Sequence, residues 1–331
     1  MYDVSKCVAE SALRDLEKAF VNFWRSSKNG IKIRFPKFKK KGRNDRFRLY
    51  GSIRVIEKAV QLPRIGSVRL KELPQIHGRI LSATISRKAD RWFVSLCVEQ
   101  EIPSPPQITG ERIGVDLGVR SLATLSNGRK IENPQALLRK LRKLRRYSRK
   151  VSKKKRGSKN HTKAIIRLAR LHWRISNIRK DALHKTTTYL AKNHSQIIIE
   201  NLGIKGMMKE QKISRAITDM GWGEFRRQLT YKTKWYGSEL ILAPRFFPSS
   251  KRCSNCGHTK KKFSLSAQLF KCKACGLHID RDLNAANNLV AASWAETQNA
   301  CHEMGGYRPP YGQCPLMKQE PNTSKADLPA G

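Results

Sequence analysis

Residues 112–131 read RIGVDLGVRSLATLSNGRKI, and the fold turns on this stretch. A short apolar run reaches Asp116, and a tight turn follows at Val119–Arg120. A second apolar run, SLATL, leads through a turn at Asn127–Gly128 into a third strand. Only 25 Asp and Glu oppose 68 Lys and Arg in the 331 residues, so an acid at the edge of an apolar strand needs a physical reason. Two more acids sit in comparable places. Glu200 closes the run QIIIEN, and Asp282 lies near the start of the helical segment DRDLNAANNL. Carboxylates that converge repel one another unless a cation sits among them. Three of them suit Mg²⁺, a hard ion that prefers oxygen, and two such ions about 4 Å apart cleave phosphodiesters.

Each acid also has a plainer reading: Asp116 as a turn residue, Glu200 as a strand-end ion pair, Asp282 as a helix N-cap. Their order along the chain, each on the expected element, favours a shared site. Asp280 competes with Asp282 for the third position, and Asp282 is preferred because it starts the helix.

The formal net charge of +43 would strain a compact fold by self-repulsion. A nucleic-acid partner removes that conflict, since bound phosphates neutralise the charge and released counterions drive association. A structural RNA-binding protein would share this charge. No run of about 18 apolar residues marks a membrane span, and the first residues lack the apolar stretch of a signal peptide. The expected location is a reducing, DNA-containing cytoplasm, at the nucleoid.

Outward from the central stretch, residues 5–25 show helical spacing of Ala9, Leu13, Leu16, Phe20 and Trp24, followed by the basic IRFPKFKKKGR. Residues 46–107 carry short alternating segments and the hairpin ILSATIS–RKAD–RWFVSLCVEQ, which predict a small barrel or curled sheet. Trp92, Val94, Leu96 and Val98 alternate to one face, and Trp92 and Phe93 are expected to pack in its core. Residues 133–180 hold 19 Lys or Arg and no acid, on two helices joined by KKKRGSKN, the first begun by Leu138, Leu141 and Leu144. A solvated basic face is the bland account. Forty-eight residues without a countercharge better suit a phosphate-gripping hairpin. Its candidate contacts are Arg139, Lys140, Arg142, Lys143, Arg145, Arg146, Arg149 and Lys150.

Next come the strand QIIIE, a helix from Trp222, the strand ELILAP and a last helix from Asp282 to about Trp294. The order of three strands, helices, strand, helix, strand, helix is that of an α/β, RNase H-like domain. In that layout Asp116 on the first strand neighbours Glu200 at the tip of the fourth. Before the last helix, Cys253-x2-Cys256 and Cys272-x2-Cys275 stand fifteen residues apart, each pair followed by glycine. Two such knuckles complete a tetrahedral four-thiolate Zn²⁺ site with no open position, so the zinc is expected to be structural. His258 and His278 are not expected to be ligands.

Taken together these stretches resemble the TnpB family, insertion-sequence-encoded RNA-guided nucleases related to type V CRISPR effectors. The matching segments are ALRDLEKAFVNFW with FPKFKKKGR, LPRIGSVRL, GVDLGVRSLATLSNG, IIIENLGIKGM, WGEFRRQLTYK, FPSSKRCSNCG and CKACGLHIDRDLNAANNL, spread over most of residues 5–290. The resemblance implies a RuvC-type nuclease domain with its acids at Asp116, Glu200 and Asp282. It also implies a zinc ribbon inserted before the third acid and an N-terminal barrel with a helical insert. A guide RNA would pair with one strand of a target DNA, and one site would cut both strands. Family members usually begin with a further strand and helical segment that complete the barrel, whereas this chain starts within the insert, which bears on guide-RNA and flanking-motif binding.

The expected units are therefore a helical insert with a basic tail (1–45), a barrel-like unit (46–107), and a nuclease domain (108–250, with the basic hairpin at 134–180). They continue with a zinc ribbon (251–279), the rest of the nuclease domain (280–296) and a disordered tail (297–331). The function expected is Mg²⁺-dependent, RNA-guided DNA cleavage. The alternatives are a transposase that itself joins DNA ends, and a truncated or domesticated RNA-guided DNA-binding protein.

Overall fold

The structure, a computed structural model, describes residues 5–29, 35–38, 42, 45–245, 247–261 and 267–302. Helix α1 (Lys6–Lys28) leads into β1 (Arg46–Tyr50), β2 (Arg54–Ile56), β3 (Ala59–Leu62), β4 (Gly66–Arg69), β5 (Arg79–Lys88) and β6 (Arg91–Glu99). These strands form two antiparallel three-stranded sheets, ordered β1-β5-β6 and β2-β3-β4. Leu49, Ala83 and Ile85 of one sheet share a core with Val60 and Leu62 of the other. Among the described residues no strand pairing joins the two sheets into one curled sheet.

The apolar stripe of α1 does not face the sheets, for Leu13 and Trp24 are 66% and 57% exposed. The helix docks instead through Val8, which packs on the sheet core, and through Cys7, whose thiol donates to the Tyr50 carbonyl oxygen. The expectation that Trp92 and Phe93 pack in the core fails: Trp92 stands exposed at the hairpin tip, with the Arg87 guanidinium 5.9 Å from its ring centre, and Phe93, also exposed, lies against Trp173 of the long helix that follows.

The second sheet is built from β7 (Arg112–Asp116), β8 (Ser121–Leu125), β9 (Lys130–Glu132), β10 (Gln196–Glu200) and β11 (Glu239–Ala243). The intervening helices are α2 (Ala136–Ser152), α3 (Lys159–Asn193), α4 (Ile204–Met207), α5 (Gln211–Met220) and α6 (Trp222–Tyr236). Strand order is β11-β10-β7-β8-β9, with β10 parallel to both β7 and β11 and the β7–β8–β9 meander antiparallel. Strand parity divides the side chains between two faces. Ile113, Val115, Ile197 and Ile199 point into the main core with Leu183, Leu190, Phe225 and Leu229 from α3 and α6. Ile198 points to the opposite face.

On that face lies α7 (Arg281–His302), which contributes Leu289 to a core with Ile198 and Ala243. The helix crosses β7 so closely that a Cβ on Gly114 would sit 2.0 Å from the Ala286 carbonyl oxygen. Only glycine fits there. The helix continues past Trp294 to His302, so residues 297–302 are helical rather than part of a tail, and residues 303–331 lie outside those described.

Helices α2 and α3 pack as a hairpin through Leu137, Leu144 and Tyr147 against Leu171, Ile175 and Ile178. Leu138, one of the leucines that begin the first helix, is exposed, and its neighbour Leu137 packs in the seam. Seven of the eight candidate contact residues are exposed and Lys140 is partly buried; none is in an ion pair among the described residues. The N-terminus of α2 is capped from a distance: Asp219 of α5 accepts from the Leu137 amide at 3.1 Å and from Arg179 at 3.0 Å. No helix among the described residues is long and apolar enough to cross a membrane.

Candidate active site and metal centre

The sheet's parity and register determine where the acids lie. Asp116 shares the α7-facing parity of Gly114, two residues before it, and Glu200 shares that of Ile198. The parallel pairing of β7 and β10 has Val115 opposite Ile199. Asp116 and Glu200 are thus the next residues on neighbouring strands, at one end of one face. Asp282 occupies the first turn of α7, one turn before Ala286, which crosses Gly114. Burial raises Asp116 from its ordinary 3.8 to about 7, and the negative charges of Asp282 and Glu200 push in the same direction. Burial also raises Glu200. Asp116, at a half-buried sheet end, thus feels the charge of both other acids.

The neighbours of this site compensate only in part. Arg281 donates to Asp282 at 2.9 and 3.0 Å from two of its nitrogens. The Lys130 ammonium holds Asp280 at 2.8 Å. Burial works to raise Asp280, but that hydrogen bond from Lys130 and the amides of Leu283 and Asp282 bring it below its ordinary value. Asp280 accepts from those two amides at 3.1 and 2.9 Å, so Asp280, not Asp282, caps α7. The carboxylate of Asp282 is thereby left out of the cap. Among the described residues, the side chains whose ligand atoms gather as a metal-sized cluster, all within 4.8 Å of one another, are four cysteines.

That cluster lies in a small ribbon with strands β12 (Leu269–Lys271) and β13 (His278–Asp280). The Sγ atoms of Cys253 and Cys275 are 3.6 Å apart, as are those of Cys256 and Cys272. Tetrahedral ligation with Zn–S bonds of about 2.3 Å needs sulfurs about 3.8 Å apart, so the quartet fits zinc. Both knuckles turn alike. The Cys253 and Cys272 amides donate to the His258 and Leu277 carbonyls, and Gly257 and Gly276 take the same left-handed φ of 74°. Hydrogen bonding from the Leu277 amide brings the Cys275 thiol down to about 6, toward the thiolate a metal requires. Cys256, despite its bond from the His258 amide, is held up at about 12 by hydrogen bonds among the sulfurs and by burial, so that the proton shared by the metal-free quartet stays there. Cys253, Cys272 and Phe270 form the buried centre of the ribbon.

A family profile described as "Probable transposase" matches residues 95–211, and one described as "Cas12f1-like, TNB domain" matches residues 222–289. A relative from Escherichia coli (strain K12), InsQ, named provisionally as an RNA-guided DNA endonuclease, is 36% identical over 94% of this chain and 78% of its own length. The chain belongs to the TnpB family. A TnpB relative from Streptomyces pristinaespiralis, also named provisionally as an RNA-guided DNA endonuclease, is 36% identical over 99% of this chain and 81% of its own. Beyond TnpB, the CRISPR-associated endodeoxyribonuclease Cas12f1 of Sulfoacidibacillus thermotolerans is 25% identical over 61% of this chain and 50% of its own. A cryo-EM structure of a Cas12f1-sgRNA-target DNA complex overlays with a TM-score of 0.41 at 17% identity, over 86% of this chain and 78% of that one, too loosely to bear on the site.

Several residues that shape this TnpB site escaped sequence reasoning. Lys130, Arg281 and Gly114 touch the acids or the elements that carry them, as described above. Asn284 and Asn288, on the buried side of α7, bond to the cysteine ribbon. The one signal in the sequence is NAANN itself: asparagine is a poor helix former, and two of them four apart on an alanine-rich face mark a polar contact.

Proposed function

We propose that this chain is an RNA-guided DNA endonuclease in which Asp116, Glu200 and Asp282 hold Mg²⁺ and the four cysteines hold Zn²⁺. The observation that carries the reading is the convergence of three acids from β7, β10 and α7 on one half-buried edge. There burial, and then the charges of Asp282 and Glu200, raise Asp116 to about 7. The names of the relatives support the same reaction class. In this reading residues 108–250 and 280–296 are an RNase H-like, RuvC-type domain interrupted by the ribbon at 251–279. Residues 46–107 are a barrel-like unit, with 1–45 its helical insert.

When bound, Mg²⁺ supplies an activated water and stabilises charge on the leaving 3′ oxygen. The chain's own residues prepare for this. Asp116 and Glu200 present oxygens from adjacent strand ends, rigid because each strand is buried on both faces. Asp282 presents a third from a helix turn whose cap belongs to another residue. Lys130 neutralises Asp280, so that the local negative charge centres on the three ligands. The exposed cations of α2 grip the phosphates of guide RNA paired with target DNA. The proposed place of action is the nucleoid.

The test is cleavage of target plasmid by protein copurified with its RNA. Asp116→Ala is expected to abolish Mg²⁺-dependent cleavage, by three orders of magnitude or more, while nucleic-acid affinity stays within a factor of two. Cleavage that survives this change refutes the site. Joined DNA ends formed without RNA would instead favour a strand-transfer enzyme.

A further inference from the structure

The cysteine ribbon and the proposed cleavage site are joined by two buried amides. Asn284 accepts from the Ser254 amide at 2.9 Å and donates to the Arg252 carbonyl at 2.7 Å. One turn on, Asn288 donates to the Ser249 carbonyl at 2.8 Å and to the Arg252 carbonyl at 2.7 Å. Both side chains are closed to solvent, at 0% and 1% exposed. Ser254 lies between Cys253 and Cys256, inside the first knuckle, and Arg252 immediately precedes it. The two asparagines therefore bond to the backbone that zinc ligation shapes.

Asp282 is held on its other side by the same ribbon. Strand β13 runs into α7 without a loop, and it pairs with β12 in a register that sets Leu269 opposite Asp280. The Arg281 amide donates to the Gln268 carbonyl at 2.8 Å. So the acid sits between two attachments to one small module. That module has little else to keep it folded: its core is Phe270 with Cys253 and Cys272, backed by Leu277 and Ile279. A core of this size depends on its metal.

We infer that Asn284 and Asn288 are positioning residues that make the place of Asp282 depend on the folded, zinc-loaded ribbon. The inference rests on the reading of Asp282 as a metal ligand. A buried amide that loses its partners must find others, and here that means a shift of the first turns of α7. Asp282 is carried by the first of those turns, so even a small shift takes its oxygens out of reach of an ion held by Asp116 and Glu200.

The experiment measures Mn²⁺ binding to the full-length protein from the electron paramagnetic resonance of free Mn²⁺, with zinc content and circular dichroism on the same samples. The wild type should hold one zinc per chain and bind Mn²⁺ more tightly than Asp116→Ala or Asp282→Ala. The double variant N284A/N288A should keep its zinc and yet bind Mn²⁺ at least tenfold more weakly, close to Asp282→Ala. C272S/C275S, which cannot hold zinc, should show the same loss. Asn284→Asp, which keeps the acceptor for the Ser254 amide, should recover part of it. A merely structural role would lower the melting temperature of the asparagine variants but leave Mn²⁺ affinity unmoved, and that result overturns the inference. So does unchanged Mn²⁺ affinity in C272S/C275S, which is read even if the double variant fails to fold. Wild-type protein that binds Mn²⁺ no better than Asp116→Ala overturns the active-site assignment itself, and this inference with it.

Discussion

Asp116 has most of its carboxylate removed from water and faces two further acids, so without a cation its ionisation opposes folding. Its pKa moves from 3.8 to about 7, the direction that burial and like charge both demand. A group raised in the folded state contributes its full stabilisation below the unfolded value, and the contribution is lost as pH rises through the folded value. The metal-free protein should therefore lose stability between about pH 4 and pH 7, by up to about 4 kcal/mol from this group. Mg²⁺ should restore the loss at pH 8 and do almost nothing at pH 5. Asp116→Asn should lose this group's share of the pH-dependent loss and most of the Mg²⁺ response, because an amide has no charge to bury, leaving the share of Glu200, which burial also raises. Differential scanning calorimetry of both proteins, with and without MgCl₂, reads this directly; an unchanged pH slope in Asp116→Asn would place the titration elsewhere.

Gly114 acts at the scale of elements, because it sets the distance between β7 and α7. A methyl group there would meet the Ala286 carbonyl at 2.0 Å, backbone against backbone, where no side chain can swing aside. Gly114→Ala should cost about 1–3 kcal/mol, as overpacking does. It should also weaken divalent-metal binding, because the helix that moves carries Asp282. A second replacement, Gly128→Ala, adds its methyl to open space; at a φ of 85° it costs stability through backbone strain but should leave metal binding unchanged. Thermal melts with Mn²⁺ titration compare the two. The strands, the cysteine knuckles and the order of the acids were legible in the sequence because each depends on local period or spacing. What was not legible depends on partners remote in the chain. Asp219 caps α2 from 82 residues away, and Asp280 takes the cap that Asp282 had been one candidate for. Leu137 rather than Leu138 entered the seam, since a helix that is apolar on adjacent positions does not reveal which one a neighbour will cover. The polar partners of Asn284 and Asn288 are backbone groups of a ribbon whose docking no pattern announces.

For the whole molecule the governing quantity is the charge of +43, which no internal pairing relieves. Helix α3 distributes that charge as a strut. At 35 residues it is about 50 Å long. Its C-terminal half lies in the main core, while its N-terminal half backs α2 and meets the β5–β6 turn through Arg170–Asp90 and Trp173–Phe93. The exposed cations of α2 are thus fixed to a rigid support between the two sheet units rather than carried on a loose arm. Rigid cations that meet phosphate release counterions in fixed number, so affinity should fall linearly in log salt. Replacing Arg139, Arg142, Arg146 and Arg149 by Gln should flatten that slope by about 3–4 for duplex DNA. Folding should be unharmed or slightly favoured, because all four are exposed, none is in an ion pair among the described residues, and self-repulsion falls. Filter binding across a salt series, with a thermal melt of the same protein, separates the two effects. A slope unchanged by the loss of four cations would make the hairpin a solvated face and leave the phosphate grip to other surfaces of the chain.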